Sequence, residues 1–596
     1  MFRQMPNLVK ESVVSNPLPE AGFEQTVSFE AHDIEYLALR FDVDKEANDY
    51  SGTEIRVELF QNESSLGSWT IQPDQITNIY YYYIPVNLHH IPAGEITMRI
   101  NASGEAPVGL FVGNGSADYI LVYDSYSRSK LLLIAFAVTI CLFAGYILFI
   151  RGKNTERRFL YLYLTLGILY FLVCPILTEP DAKNHYCRAY EVSEATWISP
   201  VNAEGNAENS FSIPEGWATD SDSIHVSLYE TWYQKDFQID EETQKLYQYN
   251  NMALYSPVSY SAQSLGFAVG RIFTNNFLAN VMIARLLNFL FAGLLFYLAI
   301  ALTPVGKQYI LWISMLPMGM ELAASISSDT VTTALVCLLV AMVCRYRYSE
   351  RIITVPEMIL LYAVALLLSQ YKIVYVVFCL LLFLIPQKAF GGKKGYFIHA
   401  GILGSLVAAA SLLWLHISGN FLEQHFLLST YQKDFILHNP VKFILAILNT
   451  VLVYGADIVR TMVGSNLGAL SFTTNAAIVL FLLAFLFARI LKDRYKAQSG
   501  EQQDHVTSWW MGGIIVLSVL LILTSEYLQW NDVGETAIGG LQGRYFIPLL
   551  YPVLLLAGKR LTNGHITETV KKDTTEQVLL AFNLCFVMQL FLHFVF

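Results

Sequence analysis

From residue 131 onward the chain returns repeatedly to apolar runs long enough to cross a bilayer, the first two being residues 131–150 and "FLYLYLTLGILYFLVCPIL" at 159–177. A hydrocarbon layer about 30 Å thick needs roughly twenty helical residues, and inside it the backbone must satisfy its own hydrogen bonds. A polytopic α-helical membrane protein, surrounded by membrane lipids, is the fold class that follows. The net charge of −11 and the lack of a basic, aromatic-interleaved patch exclude nucleic acid as a partner. Of seven cysteines, six lie in or beside apolar runs and Cys187 stands alone in a polar loop. That pattern is neither a disulfide framework nor a metal-type cysteine pair.

Residues 1–129 differ in kind. Stretches such as "TEIRVELFQ" and "EITMRINAS" alternate apolar and polar side chains and are broken by Gly, Pro, Asn and Asp. Period-two alternation predicts short antiparallel strands, and a β-sandwich of jelly-roll type is the expected domain. The run Tyr80 to Tyr83 reads as strand rather than as a platform for sugar. Residues 130–596 form the transmembrane domain, with long outer loops at 178–276 and 416–475.

Basic residues in short loops mark the cytoplasmic side. "RGKNTERR", "RYRYSER", "QKAFGGKKG", "KDRYK" and "GKR" are all assigned inside, which puts the β-domain and Asp181 outside. The remaining spans thread as 277–302, 309–326, 330–343, 355–368, 373–385, 397–415, 476–490, 510–528, 545–556 and 578–596, about twelve in all. Residues 255–273 and 441–460 would break charge parity and are expected as helices along the outer surface, with a re-entrant helix as the rival for the second. The opening "MFRQMPNLVKESVV" has no signal-type apolar stretch, so an exported β-domain implies a leader or membrane helix ahead of it; a cytoplasmic β-domain would contradict "RGKNTERR".

This threading gathers ionisable residues at the outer boundary. Glu179, Asp181, His185 and Arg188 follow the second span, and Arg285 lies toward the outer end of the third. Asp329 sits in "SISSDT", Lys372 at the tip of a short hairpin, and Gln542 and Arg544 in "GLQGRYFIP". Ionisable groups at a bilayer edge are costly unless paired or functional. A carboxylate can take a proton from a hydroxyl, and Arg and Lys can hold a phosphate. Each residue also has an ordinary role open to it. Asp181 and Asp329 suit helix caps, Lys372 and Arg544 suit snorkelling, and His185 suits packing rather than metal ligation. Glu321 in "MGMELAAS" is deeper, either interior-facing or partnered. A divalent metal is compatible with these carboxylates but not required by the sequence.

The segments "EPDAKNHYCRAYEVS", "YSPVSYSAQSLGFAVGR", "ARLLNFLFAGLLFYLAI", "LPMGMELAASISSDT" and "GLQGRYFIPLLYPVLLL" resemble, in order, a bacterial family of membrane proteins filed as domain of unknown function 2142. That family is similar to the GT-C glycosyltransferases, and the resemblance covers nearly everything from residue 159 onward. It implies a sugar taken from a polyprenyl-phosphate carrier on the outer face of a bacterial plasma membrane and passed to a cell-envelope glycan. Asp181 occupies the place of the base, and Asp329 that of a second acidic position. Lys372 falls where a basic residue meets the carrier phosphate. The β-domain resembles one that precedes the first span in such proteins, and it is the candidate glycan-binding module. The family's Pro-Asp-Glu pattern here reads Pro180-Asp181-Ala182, with Glu179 as a neighbouring substitute.

The expected function is therefore an inverting membrane glycosyltransferase. Asp181 is the base, Lys372, Arg544 and Arg285 hold donor phosphate, and His185, Arg188, Glu179, Asp329 and Gln542 support them. A transporter or flippase for a lipid-linked glycan would share the many spans and the cations, but transporters favour internal repeats and midplane charges. A non-catalytic glycan-binding scaffold is the third class.

Overall fold

The computed structural model describes residues 3–595 except 7–13, 20–21, 30–31, 46, 77–81, 93, 105, 114–115, 118, 125–127, 215–236, 350, 426, 469–471, 498–502 and 563–573. Tyr80, Tyr81 and most of the amino-terminal stretch lie outside the described residues. The chain divides into two compact units, Met1–Val138 and Thr139–Phe596.

Among the described residues the first unit holds three small antiparallel sheets. One orders Arg3–Pro6, Tyr119–Asp124, His32–Leu39 and Tyr82–Ile91. A second orders Phe23–Phe29, Gly94–Ser103, Glu54–Gln61 and Ser64–Ile71. The third centres on Gly109–Gly113. Alternation produces these strands: in Glu54–Gln61, Ile55, Val57 and Leu59 are buried while Glu54 and Arg56 are exposed. Val57 faces Ile100 and Leu59 faces Met98 across the pair, so one face of each strand enters an apolar core with Leu37, Leu39 and Phe41. Each such side chain contributes about 1.5–3 kcal/mol on full burial.

The second unit is helical. Among the described residues seven helices are long and apolar enough to cross a membrane: Leu133–Ile150, Phe277–Leu302, Asp329–Arg347, Lys393–Gly419, Pro440–Val463, His505–Trp530 and Thr575–Phe594. Val355–Tyr371, Ile373–Leu384 and Gly543–Ala557 are shorter apolar helices. The chain is a polytopic membrane protein, but the helices do not give twelve uniform spans. One reason lies in the run at 309–326, which breaks into Lys307–Ser314 and Pro317–Ala323 where Pro317 interrupts the helix. Residues 441–460, expected along the surface, lie in a 24-residue helix of spanning length.

At the centre is Asp329–Arg347, in which every residue from Leu335 to Val343 is inaccessible. A helix buried all round belongs in the interior of a bundle. It packs on Phe277–Leu302, which also meets Thr155–Val173 where the Tyr163 and Phe289 rings stack at 4.5 Å. Gly167 makes room for the Phe289 ring, which a Cβ there would overlap. Leu133–Ile150 and Pro440–Val463 carry Leu133, Phe149, Ile444 and Leu452 outward, as contact with lipid allows.

Charge sorts to opposite ends of these helices. Asp329–Arg347 finishes with Arg345 and Arg347, which pair with Glu357 at 3.3 Å and Asp504 at 2.9 Å. Val355–Tyr371 starts with a capping box between Thr354 and Glu357. The same two helices carry Asp329 and Lys372 at their other ends. Lys307–Glu156 at 2.6 Å and Arg560–Asp493 at 3.1 Å join the ends of further helices.

Candidate functional site

The helix Thr155–Val173 stops ahead of Pro175, and the chain turns at Asp181 into the helix Ala182–Ser193. Asp181 holds the N-cap position but makes no capping hydrogen bond, and its backbone is left-handed, φ 60° and ψ 23°. Asp tolerates that region better than most residues, at a cost of order 1 kcal/mol. The turn leaves the carboxylate for Arg544, whose Nη2 donates to Asp181 Oδ2 at 2.5 Å while Nη1 donates to the Pro180 carbonyl at 3.3 Å. The Asp181 side chain is 29 % exposed and that of Arg544 only 3 %, so the acid is the member of the pair that a ligand reaches.

Arg544 also faces a second carboxylate, with Nε 3.6 Å from Asp329 Oδ2. Asp329 Oδ1 is paired with Lys372. Asp329 begins its helix without capping it: Ser328 holds the N-cap position. Lys372, Asp329, Arg544 and Asp181 thus form one line of alternating charge drawn from four separate segments. The rings of Tyr255 and Tyr545 flank the Lys372 ammonium at 5.5 and 5.3 Å, within cation–π range. Tyr375 donates to the Tyr545 carbonyl at 2.5 Å and fixes that turn.

Arg544 is placed by its neighbour. A Cβ on Gly543 would collide with the backbone at Met462 N and Ile458 O. Only glycine lets this segment lie against the helix Pro440–Val463, where Gly543 N donates to Thr461 Oγ1 at 3.1 Å. Gln542, just before it, has a buried Oε1 with no hydrogen-bond partner among the described residues.

Burial works to raise the Asp181 carboxyl, but the Arg544 charge outweighs it and holds it below the ordinary carboxylate range. Burial works against the Lys372 charge too, and the Asp329 carboxylate more than offsets that. His185 is enclosed, 2.7 Å from the Tyr260 hydroxyl through Nδ1, and burial pushes it down to about 4. It is therefore neutral at pH 7.

The other sequence candidates hold the frame. Arg188 does not face Asp181. It is fully buried, pairs with Glu191 at 2.5 Å and donates to the carbonyls of Tyr255 and Trp197. The cation beside Asp181 is Arg544, because a spacing of three along the helix brings Arg188 to Glu191. Arg285 donates to the carbonyls of Ala324 at 2.5 Å and Cys174 at 3.2 Å and so ties two helix ends together. Glu179 accepts from Ile326 N at 2.9 Å, and burial pushes its carboxyl up. Glu321 accepts from Gly468 N at 2.6 Å. No group of three His, Cys, Asp or Glu side chains converges as metal ligands among the described residues.

Among the described residues, several cavities lie beside this line or adjoin one that does. A pocket of about 190 Å³ is lined by Lys372, Tyr255, Tyr545, Trp414, Gln529 and Glu526. Glu526 is absent from the sequence candidates, although a lone carboxylate in the apolar run "SVLLILTSEYLQW" is a signal for it. The pocket shares Ile373, Val374, Ser411 and Leu415 with an apolar cavity of about 590 Å³ walled by Leu361, Val376, Leu380, Phe383, Leu403 and Val407. A third, polar cavity of about 450 Å³ includes Gln542 and Arg544 in its wall.

No curated protein matches the chain. The family described as "Predicted membrane protein (DUF2142)" matches residues 164–553, well over half of the sequence and all four members of the charge line. The chain belongs to that membrane-protein family.

Proposed function

We propose that the protein is a membrane glycosyltransferase that moves a sugar from a polyprenyl-phosphate carrier to a cell-envelope glycan, with Asp181 as general base. The observation that carries this reading is the join between the apolar cavity and the Lys372 pocket. A lipid phosphate needs an apolar channel that ends on a cation, and here Ile373 and Val374 of the channel wall directly follow Lys372 in the chain. The ion pairs from Lys372 to Asp329, Asp329 to Arg544 and Arg544 to Asp181 link that pocket to the base.

In the proposed step the acceptor hydroxyl gives its proton to the Asp181 carboxylate as its oxygen bonds to the anomeric carbon. The carbon–oxygen bond to phosphate breaks on the opposite face, so the sugar inverts. The electron pair leaves on the carrier phosphate, and Lys372 and Arg544 offset its charge. The depressed Asp181 carboxyl is ionised, as a base must be before it acts, at some cost in basicity. This reading takes the helical unit as GT-C-like with about twelve crossings counted with its shorter helices. It takes the site as extracytoplasmic on a bacterial plasma membrane, and the amino-terminal sheets as a jelly-roll sandwich that holds glycan.

Purified protein in lipid, supplied with polyprenyl-phosphate-linked sugars and envelope glycan, tests it. Transfer is expected from the parent and not from Asp181→Asn. Movement of intact lipid-linked glycan across the bilayer without transfer would point to a flippase instead.

A further inference from the structure

The polar cavity at Gln542 and Arg544 has a wall unlike that of the Lys372 pocket. Ser465, Asn466, Thr473, Asp457, Arg460 and Gln542 line it. Its charges are already matched: Arg460 pairs with Asp457, and Arg544 with Asp181. Arg544 is directed to Asp181 and, in the step proposed above, to the donor phosphate, so among the described residues this wall has no charge of its own left to hold a second anion or an amine. What is left is hydrogen-bonding capacity, above all the buried Gln542 Oε1, which has no partner. A buried amide oxygen without a donor is costly, and turning the half-buried Gln542 amide toward a ligand hydroxyl relieves that cost. Met318, Val479 and Leu541 add an apolar strip on which the C–H face of a pyranose can rest. The volume, about 450 Å³, falls in the range of small-molecule pockets.

The geometry points to a binding site for a neutral polyhydroxy ligand, a glycan residue, with Gln542 as the group that reads its hydroxyls. Arg544 forms part of the cavity wall and also holds Asp181 Oδ2. A hydroxyl at that wall lies next to the Arg544–Asp181 pair. The ligand's role as acceptor rests on the function proposed above; the site for a neutral sugar does not.

The test uses the full chain in lipid nanodiscs with Cys141 and Cys585, the two exposed cysteines, replaced by serine. Thr473→Cys then places a thiol at the exposed rim of the cavity. Its reaction with a maleimide is timed against a mixture of glucose, galactose, mannose, rhamnose and N-acetylglucosamine, and separately against inorganic phosphate at matched osmolarity. The sugars are expected to slow labelling along a saturation curve, by about tenfold at ten times the half-protecting concentration. Gln542→Ala should shift that curve to higher sugar, and phosphate should leave labelling unchanged. Protection by phosphate, or none by sugars, overturns the inference, and the parent protein alone gives that answer if the Gln542 variant folds poorly. Sugar protection in a protein that transfers no lipid-linked sugar would uphold the cavity and sink the transfer reading. Transfer without protection would do the reverse.

Discussion

Arg544 and Asp181, 363 residues apart in sequence, meet at 2.5 Å, and the arginine is the buried partner while the acid stays within reach of solvent. That asymmetry sets the first expectation. Asp181→Asn keeps both shape and tolerance of the left-handed backbone, and should lose transfer by a factor on the order of a hundred to ten thousand. It leaves the buried Arg544 with Asp329 alone and should melt below the parent while staying folded. Asp181→Ala should be about 1 kcal/mol less stable again, because alanine is strained at φ 60°. Turnover and thermal melting of the two variants check this. Near-parental transfer by a folded Asn variant would remove Asp181 from the chemistry.

Lys372 and Asp329 are both largely buried, so breaking the pair and deleting it differ. Lys372→Met alone leaves a carboxylate without its main cation and should cost about 3–5 kcal/mol. Lys372→Met with Asp329→Leu should regain most of that stability without regaining affinity for a lipid phosphate. Melting curves and vesicle binding with polyprenyl phosphate separate the two effects. If the double variant binds as the parent does, the cation has no part in donor recognition.

Gly543→Ala changes no charge. It forces the chain off the backbone of Met462 and Ile458 and moves Arg544 with it. An overpacked contact of this kind costs about 1–3 kcal/mol, and a displacement of about 1 Å at a site can cost a hundredfold in rate. The expected result is a folded protein with strongly reduced transfer. Unchanged rates would show that Arg544 is not held from this glycine.

His185 supplies a pH dependence. Its folded value is depressed to about 4 from 6.5, so the unfolded chain binds more protons between those values. Its contribution to stability is full above pH 6.5 and falls as pH drops toward 4, by about 3 kcal/mol over the window. Asp181, also depressed in the fold, loses its own contribution only at lower pH, as its carboxyl protonates. Denaturant melts at several pH values should show a flatter slope between pH 6.5 and 4 in His185→Gln than in the parent. An identical slope in both would assign the effect elsewhere.

Sidedness can be read without any substrate. Glu241, on the loop after Asp181, and Lys153, in "RGKNTERR", are both exposed. A cysteine at Glu241 should react with an impermeant maleimide on intact cells, and one at Lys153 only after permeabilisation. Labelling of both positions, or of Lys153 alone, would overturn the orientation.

The helices and the charged span ends are legible in the sequence because each is a local pattern: an apolar run with an ionisable residue just after it. Asp181, Asp329, Lys372 and Arg544 can be named that way, but not their order. Which acid meets which base depends on packing between helices far apart in sequence. Glu526 hides inside an apolar run. Arg188 looks like a neighbour for Asp181 until Glu191, three residues on, is counted as the nearer partner. The continuity of a span is not legible where a proline divides an apolar run, as at Pro317.

The line of four charges has one more consequence. With formal charges, Lys372 and Arg544 cancel Asp329 and Asp181. The four together therefore carry no net formal charge, and the field of the line itself dies away over a short distance. On the transfer reading proposed above, an arriving phosphate would tip this balance toward negative, and a proton gained by Asp181 would tip it back. Occupancy by a charged lipid and protonation of the acid are thereby coupled through one electrostatic ledger, even where the two groups never touch.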